Sequence, residues 1–227
     1  MKYYPIDLNL KNRQCLVVGG GSVGTRKAEV LIDCGASVTL VSPVTSAGIK
    51  KLLNDKKTTL TFWERSYCSD DMEGMFMAFA ATDNTKLNKQ IYEDARKRQI
   101  LCNIADQPDL CDFTLPSIVR RKDLMLTIST MGKSPGLSKK LRKKLEAQFG
   151  SEYGRLLDLA GAFRRKVIEE NLLNLECRQN FFKELISDRM IDMIRRKEME
   201  KIASLLTGYL GNGQDIRSMI EENFKKK

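Results

Sequence analysis

The 227-residue chain contains no histidine. Its absence removes the side chain most often used for acid–base catalysis near neutral pH and the commonest nitrogen ligand for metals. Any proton transfer therefore falls to a carboxylate, lysine, tyrosine, hydroxyl or thiol, and no protein metal site is expected. The six cysteines, at positions 15, 34, 68, 102, 111 and 177, include no C-x-x-C pair, so neither a zinc site nor a dithiol redox centre is signalled. Cys15, Cys34 and Cys102 lie in or beside apolar segments and are expected as small core residues. No apolar run approaches the roughly 20 residues that span a bilayer. The segment Met1–Asp7 lacks the apolar core of a secretory signal. The expectation is a cytoplasmic protein without a membrane partner. Internal repeats and low-complexity tracts are also missing.

Charge is present but unevenly placed. Residues 1–112 hold 15 Lys+Arg against 14 Asp+Glu, and residues 113–227 hold 24 against 15, so nine of the ten net positive charges lie in the second half. A basic half beside a neutral one points to an anionic partner. The most basic stretch, with Lys139, Lys140, Arg142, Lys143 and Lys144, has no interleaved aromatic residues, and nucleic acid is not expected as that partner.

The most informative stretch is Gly19-Gly20-Gly21-Ser22-Val23-Gly24. It follows the apolar run Cys15-Leu16-Val17-Val18, which reads as a buried parallel strand, and precedes Ala28–Ile32, whose apolar residues recur at helical spacing. Glycines 19, 21 and 24 have the G-x-G-x-x-G spacing of a dinucleotide-binding turn. The first permits the tight turn, the second lets the backbone approach a pyrophosphate, and the third lets the helix lie close to its strand. The helix N-terminus then presents unpaired N–H groups to the anion.

Strands expected over 14–18, 37–41, 58–63, 75–81 and 100–104 alternate with helices over 22–34, 45–54 and 84–98, the pattern of a parallel α/β sheet. Gly35 stops the first helix, and Asp83 is the expected N-cap of the third. From Phe113 the pattern changes. A basic turn, Arg120–Asp123, leads to an alternating strand over 124–130, and Ser134-Pro135 opens a helix to about 149 with Ser134 as N-cap. Residues 151–227 read as all-helical, with Leu156, Leu159, Phe163, Val167, Phe181, Leu185, Met190 and Ile194 at core spacing. The predicted architecture is a Rossmann-type parallel sheet over 1–115, a small α+β dimerisation segment over 116–150, and a helical domain over 151–227.

Ligands of open α/β sheets bind beyond the carboxyl ends of the strands. The glycine turn, Ala80–Asp83 and Asn103–Asp106 converge there. The expected cofactor-binding set is Gly19, Gly21, Ser22, Val23, Gly24, Ser42, Pro43, Val44, Ala81, Thr82 and Asn103. The second strand ends in Ser42 rather than the usual acidic residue, and no arginine stands there to accept a 2′-phosphate, so NAD is favoured over NADP. Asp106, on a strand-end loop, is the candidate catalytic carboxylate, with Asp109 and Asp112 as nearby competitors.

These residues carry a resemblance. Pro5-Ile6, Val17–Lys27, Ala80–Asp83, Cys102–Asp106, Phe113–Ser117 and Gly132–Pro135 are similar, in order, to the motifs of the precorrin-2 dehydrogenase family. That family includes bifunctional dehydrogenase–ferrochelatases and the dehydrogenase half of siroheme synthases. The resemblance covers about residues 1–150 and implies NAD-dependent oxidation of precorrin-2 to sirohydrochlorin by a homodimer joined through its middle segment. In bifunctional members it also implies iron or cobalt insertion. It assigns proton transfer to Asp106, and an anionic tetrapyrrole makes Arg120, Arg121, Lys133 and Lys139 candidate substrate clamps. Gly24 stands where many relatives have alanine, a change the turn is expected to tolerate. The competing reading is an NAD-sensing regulatory domain without catalysis, which leaves the Asn103–Asp106 loop and the basic middle segment unexplained.

Overall fold

The structure, a computed structural model, describes residues 3–55, 58–105, 107–211 and 215–225. The chain forms two compact units, Met1–Leu115 and Pro116–Lys227. Among the described residues, no helix is long and apolar enough to cross a membrane.

The first unit is built on five strands: β1 (Gln14–Val18), β2 (Ser37–Val41), β3 (Leu60–Trp63), β4 (Met77–Ala80) and β5 (Leu101–Ile104). They pair in the order β3-β2-β1-β4-β5, all parallel. The helices α1 (Ser22–Asp33), α2 (Ala47–Leu53) and α3 (Thr85–Lys97) cover its faces. Both faces are buried, which explains the unbroken apolar run of β1. Cys15 and Val17 join Ala28, Leu31 and Ile49 on one face, while Leu16 and Val18 join Ile91 and Ala95 on the other. The chain steps outward from β1 to β2 and β3, then returns to the opposite side of β1 as β4. At this reversal the strand ends part and leave a crevice. The register sets Val18 opposite both Val41 and Ala80, and Ala80 opposite Ile104, so the loops after β1, β2, β4 and β5 leave the sheet at one level.

Several boundaries differ from expectation. β3 begins at Leu60 and β4 spans only Met77–Ala80. The N-cap of α3 is Asn84, not Asp83: the Asn84 side chain accepts the Leu87 N–H, and Thr82 Oγ1 accepts the Asn84 N–H and fixes the turn. Cys34 is exposed, because it ends α1 where Gly35, at φ +78, turns the chain away. Cys15 and Cys102 are fully buried, and burial pushes their thiols up to about 11 and about 12, leaving them neutral packing groups.

In the second unit, β6 (Ser117–Arg121) and β7 (Leu124–Ile128) form an antiparallel hairpin. Arg120 and Arg121 belong to the strand, and the turn is Lys122-Asp123, with Lys122 at φ 53. α4 (Pro135–Gln148) starts with Ser134 as N-cap and Pro135 in the first turn. It is followed by α5 (Ser151–Glu169), α6 (Leu175–Leu185), α7 (Asp188–Arg195), α8 (Met199–Leu210) and α9 (Ile216–Lys225). Phe163, Phe181, Leu185, Met190 and Ile194 lie in one apolar core shared by these later helices. α5 also meets the hairpin. A side chain on Gly154 would come within 2.8 Å of the Arg121 carbonyl oxygen, and Lys122 Nζ reaches Asp158 Oδ2 at 2.6 Å.

The return from β3 to β4 has only a single 3-10 turn, Ser69–Met72, and depends on polar anchors. Arg65 grips buried Asp71 through both guanidinium nitrogens, at 2.9 and 2.6 Å. Tyr67 and Ser69 donate their hydroxyls to buried Asp94. Burial opposes the charge on each carboxylate, but the hydrogen bonds outweigh it: those from Arg65 and Cys68 hold Asp71, and those from Ser69 and Tyr67 hold Asp94, below the ordinary range. A depressed carboxylate pKa stabilises the fold above its unfolded value and loses that contribution as pH falls through the folded value. Urea unfolding is therefore expected to show stability falling below about pH 4. Asp71→Asn should cost about 2 kcal/mol at pH 7 and flatten that acid dependence.

Candidate functional site

Three of the four glycines after β1 are required for different steric reasons. Gly19 sits at φ +110, where an L side chain is strained, and a Cβ there would overlap the Ala81 carbonyl. A Cβ on Gly20 would lie 2.7 Å from both Ile49 Cδ1 and Ser42 Oγ. One on Gly24 would overlap the Gly19 carbonyl oxygen. Glycine at 24 is thus not merely harmless to the turn but needed by this backbone, because α1 rests directly on the turn. Gly20 was not singled out from the spacing, because its constraint comes from the β2 exit loop and α2. Around Gly21 the geometry is the reverse, with nothing within 4 Å of an added Cβ. Gly21 is the N-cap of α1, with no side-chain cap bond and no acidic residue in the first turn. The N-terminus of α1, the positive end of the helix dipole, thus begins beside open space, the setting that suits a pyrophosphate.

The polar side chains around this opening are mostly engaged by the protein itself. Ser42 is buried, and its Oγ donates to Val44 O at 3.0 Å and accepts the Val44 N–H at 3.3 Å. Pro43 and Val44 are exposed at the crevice rim. Thr82 Oγ1 bonds Asn88 Oδ1 at 2.6 Å, close to the N-terminus of α3. Asn103 accepts from Lys27 Nζ at 3.1 Å and donates to Phe113 O at 3.0 Å. In the sequence Lys27 stands out only as the end of the Val17–Lys27 motif. It also lies over the Phe79 ring, 4.8 Å from its centroid, and so ties α1 across the strand ends to β5. Thr25 is another residue that sequence reasoning missed. Buried on α1, it donates to the Gly20 carbonyl and contacts Ser46 Oγ, the N-cap of α2. Its sequence signal was only a hydroxyl one position past the last glycine.

Asp106, the catalytic candidate, lies outside the described residues. Its flanks are held by Cys111, whose Sγ accepts the Ile104 N–H at 3.2 Å and lies 3.3 Å from the carbonyl oxygens of Ile104 and Gln107. Burial pushes the Cys111 thiol up, which suits it to this neutral bracing role. Asp112 is already used, since its carboxylate accepts the Cys102 N–H at 2.8 Å. Asp109 belongs to a short 3-10 turn, Pro108–Leu110.

The four candidate clamps all fall in the second unit. Lys133 and Lys139 are exposed, before and on α4. Arg120 is exposed, with Nε on the Lys122 carbonyl. Arg121 is already engaged within its own unit. Its guanidinium donates to the carbonyls of Arg120, Glu146 and Phe149 at 2.8–2.9 Å, closing the C-terminal end of α4 rather than presenting a charge to a ligand.

Comparison with known proteins agrees with this geometry. Residues 6–117 match the family described as "Putative NAD(P)-binding". The chain is 36% identical over 212 residues to the siroheme synthase of Vesicomyosocius okutanii and 39% identical over 187 residues to that of Ruthia magnifica. These alignments cover 93% and 82% of the chain. Over most of its own length the chain is related to the siroheme synthases. It spans less than half the length of these two relatives, 45% and 39%. The solved structure of SirC, precorrin-2 dehydrogenase, has the same fold, with a TM-score of 0.71 at 24% identity over 98% of this chain and all of that one. The glycine turn is therefore that of a nicotinamide-dinucleotide domain.

The steric contrast can be tested by urea unfolding. Gly24→Ala should lose about 1–3 kcal/mol by overpacking α1 against the turn. Gly21→Ala, facing open space, should change stability by less than about 0.5 kcal/mol.

Proposed function

We propose that this chain is an NAD-dependent dehydrogenase that oxidises precorrin-2 to sirohydrochlorin in siroheme synthesis. One observation carries the reading: the uncapped N-terminus of α1, opening on the unobstructed face of Gly21, in a chain related to the siroheme synthases. When bound, NAD supplies the hydride acceptor. The backbone N–H groups of Ser22 and Val23 hold its pyrophosphate, as helix N-termini hold anions generally. The exposed rim at Pro43 and Val44 borders the adenosine, and Ala81, Thr82 and Asn103 border the nicotinamide half. Thr82 and Asn103 serve mainly by shaping the crevice, because their side chains already have protein partners.

The oxidation removes a hydride and a proton from the macrocycle. Asp106 is proposed as the proton acceptor, on its position in the chain and the lack of histidine. Lys27 and Cys111 stabilise the surroundings of that loop, one through Asn103 and the other at its two flanks. Precorrin-2 carries many carboxylates. The strongly basic second half supports its recognition, with Arg120, Lys133 and Lys139 as clamps. Arg121 contributes by fixing the helix that carries Lys139. Residues 116–150 are the proposed homodimer segment. Ile118 and Met125 are exposed on one face of the hairpin, and Leu137 and Leu141 are exposed one turn apart on α4.

Incubating the protein with precorrin-2, with and without NAD, and following the absorbance spectrum tests the reading. Sirohydrochlorin should form only when NAD is present. Added Fe2+ or Co2+ in the same assay reads any metal insertion. Gly21→Asp should abolish NAD binding by filling the pyrophosphate space with a negative side chain. Asp106→Ala should keep NAD binding but lose about 100-fold or more in turnover. A wild-type protein that binds NAD yet leaves precorrin-2 unchanged would instead favour a sensing domain.

A further inference from the structure

In NAD-binding folds an acidic residue at the end of the second strand holds the adenosine ribose. Here that position is Ser42, whose hydroxyl is buried and bonded both ways to Val44. β3 brings a carboxylate to the same place from one strand further out. Val41 lies opposite Trp63, and the Ser42 N–H donates to Trp63 O at 3.1 Å, so the next residue, Glu64, leaves the sheet beside the β2–α2 loop. Thr45, in that loop, donates its hydroxyl to Glu64 Oε1. The Glu64 carboxylate is thereby held at the exit of β2, exposed to solvent.

A cation next to it would cancel this effect, and the adjacent cation is directed elsewhere. Arg65 follows Glu64 in sequence, but both its terminal nitrogens are on Asp71, and its guanidinium lies over the Trp63 ring at 4.6 Å. Lys50 and Lys51 are exposed in the last turn of α2, past the loop residues that hold Glu64.

We propose that Glu64, oriented by Thr45, is the residue that selects NAD over NADP in this chain. Its carboxylate accepts from the adenosine ribose hydroxyls and repels a 2′-phosphate, a discrimination that works by penalising the wrong ligand. The inference rests on the dinucleotide reading of the glycine turn and adds its specificity. Because Glu64 is exposed, the repulsion should weaken as salt rises, a signature that a purely structural residue would not produce.

The test is equilibrium binding of NADH and NADPH to the full chain, by nucleotide fluorescence without tetrapyrrole, at low and high salt. The wild type should bind NADH about tenfold or more tighter than NADPH at low salt, with the ratio shrinking at high salt. Glu64→Gln should bring the two affinities within about threefold of each other, and Glu64→Arg should invert the order. Thr45→Val should lower the ratio part of the way. Equal affinities in the wild type, or an unchanged ratio in Glu64→Gln, would overturn the assignment while leaving the dinucleotide site intact. If the wild type bound neither nucleotide, the site and its specificity residue would fall together.

Discussion

The contact between Gly24 and the carbonyl of Gly19 governs the first unit. Because neither residue has a side chain, the first turn of α1 lies directly on the turn that leaves β1. That approach aims the helix N-terminus at the gap between β1 and β4, where the direction of strand addition reverses. Moving α1 outward by the width of a methyl group would withdraw Thr25 from the Gly20 carbonyl and Lys27 from Asn103. One steric permission therefore fixes the N-terminus of α1, the anchoring of the turn and the link across to β5.

The crevice that results is made largely of main chain. Ser42, Thr82 and Asn103, the polar side chains that border it, are bonded to Val44, Asn88, Lys27 and Phe113. Such pairing leaves few unsatisfied buried groups and keeps the loops rigid. A rigid backbone site suits a cofactor whose charge is concentrated in its pyrophosphate, since aligned N–H groups and a helix dipole can hold it without a paired cation. Side-chain chemistry then matters at the two ends: at the β2 and β3 exits, where Thr45 holds Glu64, and beside β5, where Cys111 braces the flanks of the Asp106 loop.

The second unit is built on a different balance. Its helices α5 to α9 share one apolar core, and its excess positive charge is carried outside that core. Arg121 and Lys122 show that not every cation in the basic segment is available to a ligand. One closes the end of α4 and the other pairs with Asp158. A count of positive charge locates an electrostatic field, whereas hydrogen bonding decides which cations remain to use it.

Much of this protein was legible in the sequence, because periodicity and glycine placement are local properties. The five strands and three helices of the sheet, the Gly35 stop, the Ser134 N-cap and the apolar stripes of the later helices follow from residue spacing alone. The dinucleotide turn was legible for the same reason, and the order of motifs pointed to the family. Partners distant in sequence were not legible. The capping role of Arg121, the Lys27–Asn103 bond and the arrival of Glu64 beside Thr45 each depend on segments that only folding brings together. Sequence determined which elements form and which ligand class their turn suits, because short-range sterics and burial set those. Tertiary structure decided which side chains are already engaged and which still face the crevice, because a hydrogen bond depends on distance in space rather than along the chain.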